Sequence, residues 1–202
     1  MKRVIFCLVT MFFCTSICNA DDFKSCIIET FDGDTIECIA KVNNYFKAIL
    51  YKEYPGAKTQ KMPGKKVRFA TICEGDSCTV YSGIPIVNIN DAVKGKTKGK
   101  FAGFHRFLTN PRSGKFAVST QRFSNGAYST DVFFFNRPGE NYVTWAFYPY
   151  SWTCADMAKK AIILYMSDCP QIVEYVKRKD VEIDDFNEFV GVIQEYYECE
   201  TE

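Results

Sequence analysis

His105 is the only histidine in the chain, so any histidine-dependent acid–base mechanism would have to use it. It lies between Phe104 and Arg106 in a predicted strand, and no nucleophile stands beside it in the sequence. We therefore assign no catalytic residue. A secreted hydrolase with a site around His105 is the alternative. It predicts a deep pocket that holds His105 and a carboxylate, with Cys154 or Cys169 as a candidate partner from elsewhere in the chain.

Three acidic pairs have the residue type that binds metal ions, but each has a local explanation. Asp21 and Asp22 directly follow the predicted cleavage site. Asp32 and Asp34 flank Gly33 in a predicted turn, where aspartate side chains hydrogen-bond the backbone. Asp184 is the predicted cap of a helix, with Asp185 next to it. The chain has no calcium-loop spacing and no Cys-x-x-Cys motif. The sequence therefore predicts no metal and no cofactor.

A dense run of aromatic residues follows position 142, and such residues stack on sugar rings or anchor protein partners. Alternation along a strand places Trp145 and Phe147 on one face and Tyr148, Tyr150 and Trp152 on the other. Half of these side chains should belong to the core. The second group stands at the junction between a strand and a helix. We predict that Tyr148, Tyr150 and Trp152 form an exposed, ligand-binding group.

The segment over residues 94–100 has a lysine at every second position, separated by Gly or Thr. It is either a solvated loop or a charged edge strand. If the segment is extended, its lysines share one side and form a strip that can bind anions. We take Lys96 and Lys98 as ligand-binding candidates beside the aromatic group, with a glycan or an envelope protein as the partner.

Seven of the ten cysteines follow residue 20, and in an oxidising compartment most of them should pair. Cys73 and Cys78 flank a tight turn that brings their Cβ atoms together, so we predict a disulfide between them. Cys26 and Cys38 flank the turn at Gly33, and we predict that they face each other across a hairpin as a second disulfide.

The three C-terminal cysteines cannot all pair. Cys154 and Cys169 stand at opposite ends of a predicted helix, about 20 Å apart at 1.5 Å per residue, whereas a disulfide needs Cα atoms within roughly 7 Å. Cys199 is therefore the expected partner of one of them, and the other is left as a free thiol.

The first twenty residues have the pattern of a secretory signal peptide. Lys2 and Arg3 precede an uncharged apolar run over residues 4–17, and small residues at its end mark a cleavage site. The run is shorter than the roughly 20 apolar residues of a membrane helix, so we expect cleavage rather than anchoring. Lipidation at Cys14 or Cys18 is a less favoured alternative. The sequence thus predicts a secreted or periplasmic protein.

Composition argues against two further classes of partner. Cleavage removes Lys2 and Arg3 and changes the formal charge from +1 to −1, whereas nucleic-acid binders carry a clear basic excess. No second long apolar run follows the leader, so we expect a soluble mature chain with no membrane span. Its length of about 182 residues suffices for one domain with its own core.

The mature chain, residues 21–202, is predicted to have an α+β fold, with strands first and helices last. Short runs rich in β-branched and aromatic residues alternate with turn residues, which indicates antiparallel hairpins. The last part changes to a helical period and predicts about three C-terminal helices packed on the sheet. Residues 92–100 are a possible linker between a β-rich part, 21–91, and a second part, 101–202. The predicted strands are 24–31, 35–42, 45–52, 66–73, 78–90, 101–108, 115–123, 128–136 and 142–148.

Two segments near the ends of the mature chain carry a resemblance. Residues 33–42, Gly-Asp-Thr-Ile-Glu-Cys-Ile-Ala-Lys-Val, are similar to a Gly-Asp-Thr-Ile-x-Gly-x-Ile strand, and residues 167–170, Ser-Asp-Cys-Pro, begin a helix. In these features, and in the Glu-Tyr-Tyr at 195–197, the chain resembles a loosely defined group of uncharacterised exported proteins of Bacteroidota. Those proteins have a glycine where this chain has Cys38. The resemblance implies export and a β-rich body with helices, and it implies no activity.

These observations together predict an exported α+β protein, stapled by disulfides, that acts as a non-enzymatic binding or interaction module. An exposed aromatic patch beside a basic strip would support this interpretation. The hydrolase around His105 is one alternative, and a structural component of the envelope is the other.

Overall fold

A computed structural model describes residues 23–44, 47–112, 115–124, 129–149, 154–178 and 180–199. These residues form a mixed α/β fold with one large sheet of eleven strands and four α-helices. The predicted class, a large antiparallel sheet with helices at the C-terminal end, is confirmed. The predicted signal peptide, residues 1–20, lies outside the described residues.

The described strands join into one sheet that includes strands from both sides of residues 92–100. The strands are β1 (Lys24–Thr30), β2 (Thr35–Asn43), β3 (Ala48–Lys52), β4 (Gln60–Pro63), β5 (Val67–Glu74), β6 (Ser77–Ser82), β7 (Ile86–Val87), β8 (His105–Phe107), β9 (Ala117–Ser124), β10 (Ser129–Asn136) and β11 (Val143–Phe147). The helices are α1 (Ile89–Ala92), α2 (Cys154–Tyr165), α3 (Pro170–Lys177) and α4 (Phe186–Glu198). The strand order is β4-β3-β2-β1-β5-β6-β8-β9-β10-β11-β7, and every described pair is antiparallel except β11 with β7.

The N-terminal strands alternate buried and exposed side chains, as expected for a sheet with one solvated face. In β1, Cys26 is buried, whereas Ile27 is 44% exposed. The predicted turn after β1 is present, and its Gly33 has φ +94°, a left-handed conformation that favours glycine. The Thr30 N–H donates to the Asp34 carbonyl and closes this turn. The hairpin thereby holds β1 and β2 in one register.

The predicted strand over residues 78–90 divides where its Gly83 and Pro85 interrupt it. The Gly83 backbone passes so close to the Gly64 carbonyl that an added Cβ atom would overlap it. After β7 the chain forms α1, which the sequence patterns did not predict. The Asn88 side chain caps α1 by accepting a hydrogen bond from a backbone N–H at 2.9 Å.

The central strands are covered on both faces, as the three consecutive phenylalanines at 133–135 predict. Phe134 lies in a core that strands of the sheet form among themselves, and Phe107 belongs to the same core. Phe135 points to the opposite face, where its ring stacks on Phe189 of α4 with centroids 5.7 Å apart. This second core joins residues of β9, β10 and β11 with residues of α2, α3 and α4.

A β-bulge in β11 changes the faces that its aromatic residues occupy. Phe134 pairs with Trp145 and Phe133 with Phe147, so Ala146 is the extra residue. Ala146 and Phe147 both lie in the core shared with the helices, whereas Trp145 packs on the other face. The prediction that Trp145 and Phe147 share a face is therefore wrong, because the bulge interrupts strict alternation.

The last two helices begin at residues suited to a helix start. Pro170 is the first residue of α3, where its missing N–H costs no hydrogen bond. Asp185, rather than the predicted Asp184, caps α4, and its carboxylate accepts a hydrogen bond from the Asn187 N–H at 2.7 Å. The prediction of the cap was therefore wrong by one residue.

The lysine segment is a loop rather than an extended strand. After α1 the chain turns at Gly95, which has φ +73°. The Lys96 N–H then donates back to the Asp91 carbonyl at 2.9 Å. Lys100 forms an isolated bridge with Ile86. Of the two predicted alternatives, the segment is thus the loop rather than the edge strand, and anion binding by its lysines stays a prediction.

Candidate functional site

The aromatic group predicted to bind a ligand is described only at Tyr148. Its side chain is half-buried, with the ring centroid 6.0 Å from that of Trp145. The Tyr148 N–H donates to the Cys154 sulfur at 3.4 Å. Tyr148 lies on the Trp145 side because the bulge in β11 shifts the alternation. Tyr150 and Trp152 lie outside the described residues, so the exposed aromatic group stays a prediction.

The two lysines predicted to bind a ligand, Lys96 and Lys98, are both exposed. Lys96 forms an ion pair with Asp91, with 3.2 Å between Nζ and Oδ1. The loop follows α1, which contacts both β11 and α2, and Tyr148 directly follows β11. Ligand binding by this surface stays a prediction.

His105 lies in β8 and is fully buried. Its ring packs edge-on to Phe134 with 4.7 Å between centroids, and neither ring nitrogen has a hydrogen-bond partner among the described residues. Burial lowers the pKa of His105 to about 3. The imidazole is therefore neutral at pH 7 and enclosed, whereas a general base has to reach its substrate.

Cys26 and Cys38 lie directly opposite each other in β1 and β2, but as free thiols. In an antiparallel pair of strands, opposite residues alternate between hydrogen-bonded and non-hydrogen-bonded pairs. Thr30 and Asp34 form a hydrogen-bonded pair, and the register from there makes Cys26 and Cys38 a hydrogen-bonded pair as well. The Cα atoms of such a pair are about 5.5 Å apart. The Cys26 thiol donates a hydrogen bond to Cys38. Burial, together with the neighbouring Cys38, raises the pKa of Cys26 to about 12. The predicted disulfide between them is not formed in this structure.

Two disulfides are present in the described part of the chain. Cys73 and Cys78 are joined across the β5–β6 turn with Cα atoms 4.1 Å apart, as predicted. Cys169 pairs with Cys199, and Cys154 is a buried free thiol. This outcome confirms the prediction that Cys199 pairs with either Cys154 or Cys169 and that the other is a free thiol. The second disulfide ties the start of α3 to the end of α4.

A polar network surrounds the turn between β10 and β11, with Glu140 at its centre. The Glu140 carboxylate accepts hydrogen bonds from the Arg137 N–H at 2.8 Å and from the Tyr142 and Tyr165 hydroxyls, each at 3.1 Å. The Tyr165 hydroxyl also lies 2.9 Å from that of Thr144. Burial, and next the charge of Glu140, raises the pKa of Tyr165 well above its usual value. The network therefore joins the turn to α2 through a protonated tyrosine.

Two basic side chains at this end of the sheet hold the C-terminal ends of helices. Arg137, directly after β10, donates a guanidinium N–H to the Leu164 carbonyl in the last turn of α2. Lys115, just before β9, donates to three carbonyls at the end of α4, at 3.1 to 3.3 Å. Cations are favoured at these positions by the helix dipole. Both contacts fix the helices relative to the sheet.

Asp168 stands in the connection between α2 and α3 and is held by α4. Its two carboxylate oxygens lie 2.9 and 2.8 Å from the Tyr196 hydroxyl, which donates to them. Burial, and next the hydrogen bond to Asp168, raises the pKa of Tyr196. The adjacent Cys169 is bonded to Cys199, so the disulfide and this hydrogen bond fix the same junction.

Arg137 and Asp168 line one cleft of about 350 Å³, which we call the Arg137–Asp168 cleft. Phe116 and Pro138 contribute its apolar lining. Neither Arg137 nor Asp168 forms an ion pair with any described residue. A cation and an anion without ion-pair partners in the described chain thus share one cleft. The polar lining consists of Lys115, Arg137, Tyr165, Ser167, Asp168 and Tyr196.

No pattern in the sequence predicts this cleft. Arg137 occurs in a run of turn residues, and Asp168 occurs in the Ser-Asp-Cys-Pro segment at 167–170. The Ser-Asp-Cys-Pro segment was the one local feature that could have indicated a site, because a disulfide beside an acidic residue at a helix junction holds the carboxylate in a fixed position. Nothing local in the sequence connects it with Arg137 or Lys115.

No protein-family model, curated protein or solved structure matches this chain. The resemblance to exported Bacteroidota proteins therefore stays a prediction. Within the described ranges, no group of three or more His, Cys, Asp or Glu residues is arranged to hold a metal ion. None of the described helices has the length and apolar character that crossing a membrane requires.

Proposed function

We propose that this protein is an exported, non-enzymatic binding module of the cell envelope or the extracellular space, and that it binds its ligand in the Arg137–Asp168 cleft. One wall of the cleft is the end of the sheet, and the other is formed by α2, α4 and the connection that precedes α3, in a fold where we take the three C-terminal helices to pack on the sheet. The observation that carries the proposal is that Arg137 and Asp168 line one cleft without an ion-pair partner among the described residues. A bound ligand with complementary charge would supply those interactions.

The groups around the cleft are suited to binding rather than to catalysis. Burial raises the pKa of both Tyr165 and Tyr196, so their hydroxyls stay protonated at neutral pH. Each hydroxyl is already bonded to a carboxylate, that of Glu140 or Asp168. Polar groups held in place on rigid elements are what a ligand site needs. The hydrolase alternative relies on His105, which is enclosed in the sheet.

Three features support export. Residues 1–20 have the pattern of a signal peptide. The disulfides Cys73–Cys78 and Cys169–Cys199 are of the kind that persists in oxidising compartments. The resemblance to exported Bacteroidota proteins has the same implication.

A second surface is the candidate for a larger partner, a glycan or an envelope protein. The exposed Lys96 and Lys98 follow α1, which contacts β11, and Tyr148 directly follows β11. Tyr150 and Trp152 would add stacking area to this surface. Its charge favours an anionic partner.

The test of the proposed function is a binding screen of the mature protein, residues 21–202, against glycans, envelope components and small polar solutes. Thermal shift detects binding, and calorimetry confirms saturation. Asp168→Asn removes the charge from the cleft but keeps an oxygen that accepts from the Tyr196 hydroxyl. Asp156→Asn, at an exposed position of α2, is the matched control.

Saturable binding that is lost in Asp168→Asn and kept in Asp156→Asn supports the proposal. Binding that survives Asp168→Asn but is lost when Lys96 and Lys98 are replaced by glutamine would assign the function to the second surface. If no class of ligand binds saturably, the protein is not the binding module proposed here.

A further inference from the structure

A second cleft, on the other side of the β10–β11 turn, contains opposite charges that meet. It measures about 300 Å³ and is lined by Arg68, Arg112 and Glu29 among others. Arg112 and Glu29 form a direct ion pair there. The guanidinium groups of Arg68 and Arg112 lie 5.6 and 5.5 Å from the centroid of the Phe69 ring. The charges that line this cleft are therefore largely satisfied by the protein itself.

In the Arg137–Asp168 cleft, by contrast, the cation and the anion do not pair with each other. Lys115 uses its ammonium group on the three carbonyls at the end of α4. Arg137 lies 5.0 Å from the centroid of the Tyr165 ring and donates one N–H to Leu164, and its other N–H groups have no hydrogen-bond partner in the described part of the chain. The exposed Asp168 accepts from Tyr196 alone among described residues, so its carboxylate keeps free lone pairs. The cleft thus contains both guanidinium donors and carboxylate acceptors that a ligand can use.

We propose that the Arg137–Asp168 cleft binds a free α-amino acid, with the ligand carboxylate on Arg137 and the ligand ammonium group on Asp168. This inference rests on the proposed function and names the ligand class of the same cleft. A guanidinium binds a carboxylate through two parallel N–H···O bonds, and charge-assisted bonds are about twice as strong as neutral ones. A ligand with both charges satisfies both groups, whereas a simple anion would be repelled by Asp168 and a simple cation by Arg137.

The volume and the walls of the cleft fit a ligand of this size. The volume of about 350 Å³ is near the lower end of the range of about 300 to 1,000 Å³ for small-molecule sites. Pro138 supplies an exposed apolar part of the wall, whereas Phe116 and Tyr196, with ring centroids 5.1 Å apart, are almost completely buried behind it. The wall therefore offers a small apolar contact to the side chain of the amino acid.

The test uses the mature protein and an equimolar mixture of the twenty common L-amino acids, with binding detected by saturation-transfer NMR. The strongest binder is then titrated by calorimetry beside its amide, which lacks the carboxylate, and its N-acetyl derivative, which lacks the ammonium group. Arg137→Lys keeps a cation that can donate to Leu164 but loses the planar fork. Asp168→Asn keeps the acceptor for Tyr196. Circular dichroism verifies that both variants are folded.

We expect the affinity to fall by about tenfold or more for either derivative and for either variant, because each loses a charge-assisted contact. Asp156→Asn should bind as the unmodified protein does. An amide or N-acetyl derivative that binds as tightly as the free amino acid overturns the inference, and so does the absence of a signal from all twenty. If another solute then binds and its affinity falls in Asp168→Asn, the proposed function stands with a different ligand. If nothing binds, both fail.

Discussion

Replacing Lys115 with methionine should destabilise the fold markedly, although Lys115 lies outside any strand or helix. Its ammonium group donates to three carbonyls at the end of α4, at 3.1 to 3.3 Å. The same group lies 4.9 Å from the ring centroid of Tyr196 and 5.8 Å from that of Tyr197. Methionine keeps most of the apolar stem, so the change removes mainly the charge and the donors.

The expected loss follows from three overlapping terms. A hydrogen bond to a charged group contributes about 1.5 to 3 kcal/mol to stability. A cation at a helix C-terminus contributes about 0.3 to 1 kcal/mol through the helix dipole, and a cation–π contact contributes about 0.5 to 1 kcal/mol. All three act through one half-buried ammonium group, so we expect the free energy of unfolding to fall by about 2 to 3 kcal/mol rather than by their sum. In a domain of this size that corresponds to a fall of about 4 to 12 °C in Tm.

The assay is thermal and urea unfolding of the mature protein, followed by circular dichroism with the disulfides intact. Lys98→Met, in the exposed loop, is the matched control and should change the unfolding free energy by less than about 0.5 kcal/mol. If Lys115→Met proves as stable as Lys98→Met, the reasoning that Lys115 holds α4 against the sheet is refuted.

His105 and the unpaired thiols supply two further tests. The pKa of His105 is about 3 in the folded protein and near 6.5 in the unfolded chain, so protons bind preferentially to the unfolded state between these values. Below pH 6.5, His105 should therefore lower the free energy of unfolding by about 1.4 kcal/mol per pH unit. In urea titrations at pH 7 and pH 4.5, His105→Leu should lack this contribution to the pH dependence. Equal pH dependence in both proteins would contradict the burial of a neutral imidazole. The second test counts free thiols in the mature protein by alkylation and mass spectrometry. We expect almost none to react in the folded protein and three, Cys26, Cys38 and Cys154, to react after unfolding. If only one thiol reacts after unfolding, Cys26 and Cys38 have formed a disulfide.

Features that depend on neighbouring residues could be predicted from the sequence. The turn at Gly33 and the disulfide between Cys73 and Cys78 each follow from a few adjacent residues. The three phenylalanines at 133–135 indicated a strand covered on both faces, because no single-sided strand would place apolar rings at consecutive positions. The length of a helix likewise limited which C-terminal cysteines could pair.

Features that depend on interruptions of a pattern could not be predicted in this way. The bulge at Ala146 adds one residue to β11 and has no residue type that announces it. It places Tyr148 on the side of Trp145, where strict alternation had put it on the opposite face. The lysine segment likewise turns at Gly95 because α1 precedes it, and α1 itself is a short helix capped by one asparagine.

The cleft was not predictable because its charged residues come from distant parts of the chain. Arg137 follows β10, Lys115 precedes β9, and Asp168 lies between two helices. They come to line one cleft only in the folded chain, and no spacing along the sequence records that proximity. The residues that fix the geometry, Tyr165 and Tyr196, are buried and have the pattern of ordinary core residues.

The central claim, that a ligand occupies the Arg137–Asp168 cleft, is tested most directly by NMR of the arginine side-chain Nε–H groups in isotope-labelled mature protein. The strongest ligand from the binding screen is titrated while these resonances are followed. We predict that the Arg137 resonance shifts saturably, with the Kd found by calorimetry, while that of Arg112, which is paired with Glu29, stays in place. If the Arg137 resonance stays unchanged, or if the Arg112 resonance moves instead, the ligand does not bind in this cleft.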